Sequence, residues 1–296
     1  MHRYAILLAS FTLLLVVAGA SVTSKGAGLS VPDWPLSYGQ VMPQMTGGVL
    51  FEHGHRLIGA TVGMLTIGLL VWILRVEKRA PHPRAWMRKM GWLMLAWVCV
   101  VGALGGLTVK LLTPPPVSIT HTCLAQLFFS LTVAMTIFTS KRFEAGPEIV
   151  EDRYWPPLRG LAIGLPMLVL AQIALGAGFR HGVMSVIPHI VGAMVVALAI
   201  TIVCVFVLQQ FPHHQALTTT AKALLTILMV QLTLGVIAFV MRLQAAELPL
   251  EMVISTVAHV AVGAITLATS IVLSIQIRYH VRPAVKTAEQ AQAVAS

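Results

Sequence analysis

Acidic side chains are scarce in this sequence. Only 10 of its 296 residues are Asp or Glu and 20 are Lys or Arg, a tenth of the chain against roughly a quarter in soluble domains. So few charges cannot cover a water-facing globule of this size. A soluble enzyme, a disordered protein and an ordinary nucleic-acid-binding domain are thereby excluded. Cysteine is nearly absent as well. Cys99, Cys123 and Cys204 all fall inside apolar runs and make no CxxC or other metal spacing. They read as small core hydrophobes, and no loop disulfide is expected.

What the chain has instead is apolar length, with 57% hydrophobic residues and a mean hydropathy of +0.85. Eight runs are long enough to cross about 30 Å of hydrocarbon: Tyr4–Val22, His53–Leu74, Gly91–Val109, Ile119–Ser140, Gly160–Gly178, Pro188–Gln209, Ala221–Met241 and Val253–Ile277. The first has the look of a signal peptide. Its apolar stretch is too long for a signal h-region and seven more runs follow, so an uncleaved helix is expected. With no stretch ahead of it for a mitochondrial transit peptide, the expected setting is a bacterial cytoplasmic (inner) membrane.

The net charge of +10 fits membrane topology once its residues are mapped. With a cytoplasmic N-terminus, the inside segments hold Arg3, then Arg75, Lys78, Arg79, Arg84, Arg88 and Lys89. They continue with Lys141, Arg142, Arg153 and Arg159, then Lys222, and finally Arg278, Arg282 and Lys286. Outside lie only Lys25, Arg56, Lys110, Arg180 and Arg242. This bias puts both termini in the cytoplasm. Residues 279–296 form a polar tail expected to be disordered.

Histidines recur near the outer start of every second span, at His55 and His121 and again at His189 and His259, 66 and 70 residues apart. The expected fold is therefore all-α and integral to the membrane, with eight transmembrane helices arranged as two pseudo-symmetric four-helix bundles. Residues 1–145 and 155–296 form the two halves, joined by the polar linker and related by an axis along the membrane normal. Polar groups inside a membrane default to function. Histidine pairs on facing helices of a bundle are a ready axial-ligand set for haem iron, which places two haem sites near the outer face. Gly59, Ala125, Gly192 and Gly263, about one turn after the four histidines, would leave room for a flat macrocycle. Helix–helix packing through small residues is the other explanation for them. The outer cations Lys25, Lys110, Arg180 and Arg242 could meet anionic propionates or simply snorkel to the interface.

The halves differ at one point. Glu52 lies one turn before His55, whereas Val186 stands before His189. A carboxylate beside one haem suggests chemistry there and electron carriage at the other, unless Glu52 merely favours the helix dipole. His53 is turned roughly to the opposite side of a helix from His55 and is read as a non-ligand.

The segment Lys25-Gly-Ala-Gly-Leu-Ser-Val-Pro-Asp-Trp-Pro-Leu-Ser-Tyr-Gly39 and the later Glu52-His-Gly-His-Arg56 resemble two motifs of the haem A synthase family, G-x-G-L-S-x-P-D-W-P-L and E-x-x-H-R. The resemblance implies a membrane oxidoreductase that converts a methyl group of haem O to the formyl group of haem A for terminal oxidases. This is a four-electron oxidation, through an alcohol and a hydrated aldehyde. It implies that Glu52, His55 and His121 serve the substrate haem, with Glu52 shuttling protons or binding water. It implies that His189 and His259 bind the iron of a haem b cofactor, with Arg56 among the propionate contacts. Haem O, the enzyme that makes it, an electron donor and membrane lipid are the implied partners, and nucleic acid is not. Many family members carry a cysteine pair in the first outer loop, where this chain has Val31 and Ser37. Its third outer loop is short, and Ile190 rather than Arg follows His189. Two other readings stand beside this one: a di-haem b membrane cytochrome passing electrons from quinol, and a repeat-built transporter with midplane sites.

Overall fold

The computed structural model describes residues 1–152, 155–244 and 249–284. Eight of its helices are long and apolar enough to cross a membrane: α1 (His2–Ser24), α2 (Gly47–Arg79), α3 (Ala85–Lys110), α4 (Pro115–Phe138), α6 (Leu158–Arg180), α7 (Ile187–Gln210), α8 (Gln215–Gln244) and α9 (Leu250–His280). A short helix α5 (Lys141–Glu144) lies in the linker, and two strands, β1 (Val150–Asp152) and β2 (Val281–Pro283), complete the described elements. The chain is a multi-pass, all-α membrane protein.

Each span matches one of the expected runs, and most extend beyond it. The longest, α2, has 33 residues, about 50 Å at 1.5 Å per residue, so its ends project past the hydrocarbon. At its far end the buried Glu77 accepts from the Arg84 backbone N–H (2.6 Å) and from Arg84 Nη2 (2.8 Å) and Nε (3.0 Å). This turns the chain sharply into α3. Prolines open α4 and α7, where a missing N–H leaves no helical bond unmade.

Helices α1 to α4 pack in a closed ring, α1 on α2 and α4, and α3 on α2 and α4; α6 to α9 repeat that arrangement. Each ring has its own apolar core. The first is built around Leu8, Leu69, Met94 and Phe128, the second around Leu165, Ile200, Leu224 and Leu273. A third, smaller cluster joins the rings, where Phe129 of α4 meets Ala264 and Ala268 of α9 with Leu13 and Val16 of α1 beside them.

The end of the chain departs from the expected disordered tail at 279–296. Residues 279 and 280 finish α9, and β2 pairs in parallel with β1 of the linker, Val150 opposite Val281. Aromatic and histidine contacts explain the order. Tyr279 stacks on Phe143 at 4.4 Å and donates to its carbonyl. The Glu148 N–H donates to His280 Nδ1 at 3.1 Å, and the His214 and His280 rings lie 4.5 Å apart. Residues 285–296, with Lys286, lie outside the described residues, as does Arg153.

Candidate functional site

The four spaced histidines all sit in the first part of their helices, on α2, α4, α7 and α9. Alternation of the spans brings these starts to one end of the molecule. Within each ring the histidines face each other. In the first, His55 of α2 packs at Gly19 of α1 and His121 of α4 at Gly105 of α3. In the second, the His189 and His259 rings stand perpendicular with centroids 6.2 Å apart. Two metal–imidazole bonds of about 2 Å each, plus the reach from each ring nitrogen to its centroid, span about 6 Å. The second pair is thus spaced to hold one iron between two imidazoles.

A feature not anticipated from the sequence sets these rings. Each packs against a glycine of the preceding helix. A Cβ on Gly19, Gly105, Gly176 or Gly235 would come within 2.9, 3.2, 2.8 and 3.0 Å of Cε1 of His55, His121, His189 and His259 respectively. A helical side chain covers the turn N-terminal to its own Cα, so each glycine uncovers the carbonyl four residues earlier. His121 Nδ1 lies 3.1 Å from the Val101 carbonyl and His259 Nδ1 lies 3.2 Å from that of Gln231. The backbones of Leu15 and Gln172 meet His55 and His189 at the same offset, although His55 Nδ1 closes no bond of full hydrogen-bond geometry. An Nδ1–H directed at a backbone carbonyl fixes the tautomer that leaves Nε2 for a metal. The sequence signal was a glycine near the C-terminal end of every odd-numbered span.

The glycines after the histidines do something else. Gly59 faces the Leu15 side chain, Gly192 that of Gln172, and Gly263 that of Gln231. They serve helix packing, as small residues do between membrane helices.

The loop between α1 and α2 closes over the first ring. Tyr38 and Gly39 both take positive φ, and their N–H groups donate to the Asp33 carboxylate at 2.7 and 2.8 Å. These bonds, with the Gly39 one foremost, hold the Asp33 carboxyl below its usual range. The turn therefore keeps its anchor down to acid pH and loses it only as the pH falls through that lowered value. The Trp34 ring lies over Gly106, next to the His121 seat at Gly105, where a Cβ would come 2.6 Å from the indole.

Glu52 and Arg56 fasten this loop. Glu52 is buried. It accepts from the Val31 N–H at 2.9 Å and pairs with Arg56 Nη2 at 2.6 Å. Arg56 also donates to the carbonyls of Asp33 (2.7 Å), Leu36 (2.8 Å) and Val31 (3.3 Å). His53 is turned to the loop, with Nδ1 2.7 Å from Ser37 Oγ. Removing Arg56 would strand the buried carboxylate, a loss of about 3–5 kcal/mol for a buried pair. Arg56→Ala is expected to lower the unfolding temperature in detergent and to open residues 27–40 to protease. Wild-type resistance of that loop would contradict this anchoring.

The other cations at this end of the molecule are placed variously. Lys25 caps α1 with Nζ 6.0 Å from the Phe51 ring centre, and Lys110 ends α3, exposed. Arg180 reaches across to the first ring and donates to the Ala20 carbonyl (2.7 Å) and Ser24 Oγ (2.6 Å). Arg242 stacks on Phe179 at 4.6 Å, close enough to Arg180 to repel it. Burial, with Arg180 beside it, lowers the pKa of His181 and favours its neutral form.

An eight-span helical membrane protein with two facing histidine pairs at one end is the class so defined. Residues 44–188 match the family described as cytochrome oxidase assembly protein. Curated relatives are heme A synthases. That of Symbiobacterium thermophilum is 30% identical over 57% of this chain and 55% of its own length. The Bacillus licheniformis protein is 23% identical over 57% and 55%, and that of Rhodopseudomonas palustris 29% identical over 64% and 60%. The matched region spans a little over half the length of these relatives. Over residues 44–188 the chain is similar to the cytochrome oxidase assembly family, and over a little more than half of its length to curated heme A synthases.

Proposed function

We propose that this protein is a haem A synthase, oxidising a methyl group of haem O to a formyl group. The observation that carries the proposal is the His189–His259 pair, whose 6.2 Å spacing suits a single iron. The glycine seat of His259 lets its Nδ1 meet the Gln231 backbone carbonyl. Haem b held there would supply one-electron transfer. Haem O is the substrate of the first ring, with His55 and His121 as its ligands. The two rings of helices act as pseudo-symmetric bundles that differ in task.

Within the first ring, Glu52 handles protons at the substrate edge while Arg56 pairs with it and holds it in place. Trp34 covers the ring's outer end and limits water entry. Lys25, Lys110 and Arg242 are available to propionates at that end. Arg56 and Arg180, already bonded to protein acceptors, contribute positive field more than direct contact. The positive-inside bias sets both termini in the cytoplasm and the haem sites near the outer face of a bacterial inner membrane. An electron donor and the haem O-producing enzyme are the expected partners.

Haem extraction from protein purified out of haem O-producing cells tests this reading. Haem b together with haem O or haem A is expected. Haem b alone would favour the electron-carrying cytochrome, and absence of any haem would favour the transporter.

A further inference from the structure

The two rings of helices meet through apolar side chains, Phe129 of α4 against Ala264 and Ala268 of α9. Among the described residues, the side-chain hydrogen bonds that join a span of one ring to a span of the other come from one residue, Arg180 at the end of α6. Its Nη2 donates to the Ala20 carbonyl at 2.7 Å and to Ser24 Oγ at 2.6 Å, both on α1. Arginine at the end of a membrane helix ordinarily carries its charge out to the interface. Arg180 is only partly exposed and turns to α1 instead, where the C-terminal end of that helix favours a cation. Arg242, stacked on the neighbouring Phe179, is close enough to repel it.

Both ends of this tie fall beside a glycine seat. Arg180 stands one turn after Gly176, on which the His189 ring packs, and Ala20 directly follows Gly19, on which the His55 ring packs. One side chain thus links the helix that seats a histidine of the second pair to the helix that seats a histidine of the first. His55 needs that seat most. Its Nδ1 is shielded from solvent and closes no bond of full hydrogen-bond geometry. The Nδ1 atoms of His121 and His259 meet backbone carbonyls, and that of His189 meets the Gln172 amide. The His55 ring lies so close to Gly19 that a small shift of the turn must either crowd it or leave it loose. Lys25, at the matching end of α1, approaches Phe51 of its own ring. The tie runs one way, from the second half to the first.

We propose that Arg180 is a positioning residue for the first histidine pair, holding the Gly19 turn of α1 from the second half and so fixing the His55 ring for the substrate haem. This rests on the reading of His55 as a ligand of that haem.

Low-temperature EPR and haem extraction of the purified full-length protein from haem O-producing cells test it, with Arg180→Leu, Arg180→Lys and Ser24→Ala beside wild type. Arg180→Leu is expected to shift the signal of the first-site haem and to lower the ratio of haem O plus haem A to haem b, with the haem b signal unmoved. Lysine can still donate to α1, so Arg180→Lys is expected to bring both readouts back toward wild type. Ser24→Ala removes an acceptor on α1 alone. It is expected to move the first-site signal in the same direction by less, and to add less than its own effect when combined with Arg180→Leu. A residue that only ties the halves together would lower the unfolding temperature and leave both haem signals of the folded protein in place, which overturns the proposal. A change confined to haem b, or a first-site signal that ignores Ser24→Ala, overturns it as well. Should Arg180→Leu fail to fold, Ser24→Ala decides the matter by itself. Wild-type protein with no haem signal that depends on His55 overturns the reading beneath the proposal instead.

Discussion

Alanine at His189 or at His259 is expected to empty the second haem site. Each ring is held by a glycine seat on the preceding helix and faces the other at 6.2 Å. Among the described residues no group of three or more His, Cys, Asp or Glu side chains could take a metal in their place. Loss of an outer-shell partner alone costs about 10–100-fold in metal affinity, and loss of a direct ligand costs more. Haem b per protein in either variant should therefore fall at least about tenfold, with its low-spin absorbance. The fold should survive, because both positions are only half-buried and the apolar core of that half lies along the helices away from them. Product formation should fall with the haem if it carries electrons to the first ring. Full low-spin absorbance in both variants would contradict the ligand assignment.

Glu52→Gln is expected to keep haem b and to accumulate haem O or its alcohol in place of haem A. Glutamine fills the same space and can still accept from Arg56, but it cannot carry a proton as a carboxyl group does. General acid–base groups contribute about 100–10,000-fold to rate, so the drop in haem A output should be at least of that lower order. Glu52 also accepts the Val31 N–H and neutralises Arg56, so the substitution has a structural cost. A hydrogen bond to a charged group is worth about 1.5–3 kcal/mol, which would show as reduced stability and a looser α1–α2 loop. The two roles separate in one variant series. Arg56→Ala loosens the loop while keeping the carboxylate. A catalytic Glu52 makes Glu52→Gln the more severe loss per folded molecule. Normal haem A output from Glu52→Gln at wild-type protein level would remove Glu52 from the chemistry.

The eight spans were legible because a membrane helix must be long and continuously apolar, and its sequence can hardly hide that. Their ends were not. Segments such as Gly47–Phe51 and Gln215–Thr220 continue helices on packing and turn contacts that hydropathy does not register. The four histidines stood out for their regular recurrence. Their glycine seats did not, because a seat belongs to the neighbouring helix and appears only when two helices are brought together. The same is true of the Glu52–Arg56 clasp on the loop, where sequence shows two charges at i and i+4 but not the carbonyls that Arg56 gathers. The β1–β2 pair escaped notice because three polar-flanked residues carry no periodic signal, and its order comes from Tyr279 and His280 packing on the linker.

The most direct test of the account is the haem composition of membranes from cells that make haem O but no haem A, supplied with this protein. Haem A should appear and haem O should fall in proportion, with His55→Ala and His121→Ala unable to produce it. Membranes that hold the folded protein with its haem b but contain haem O and no haem A would contradict the account.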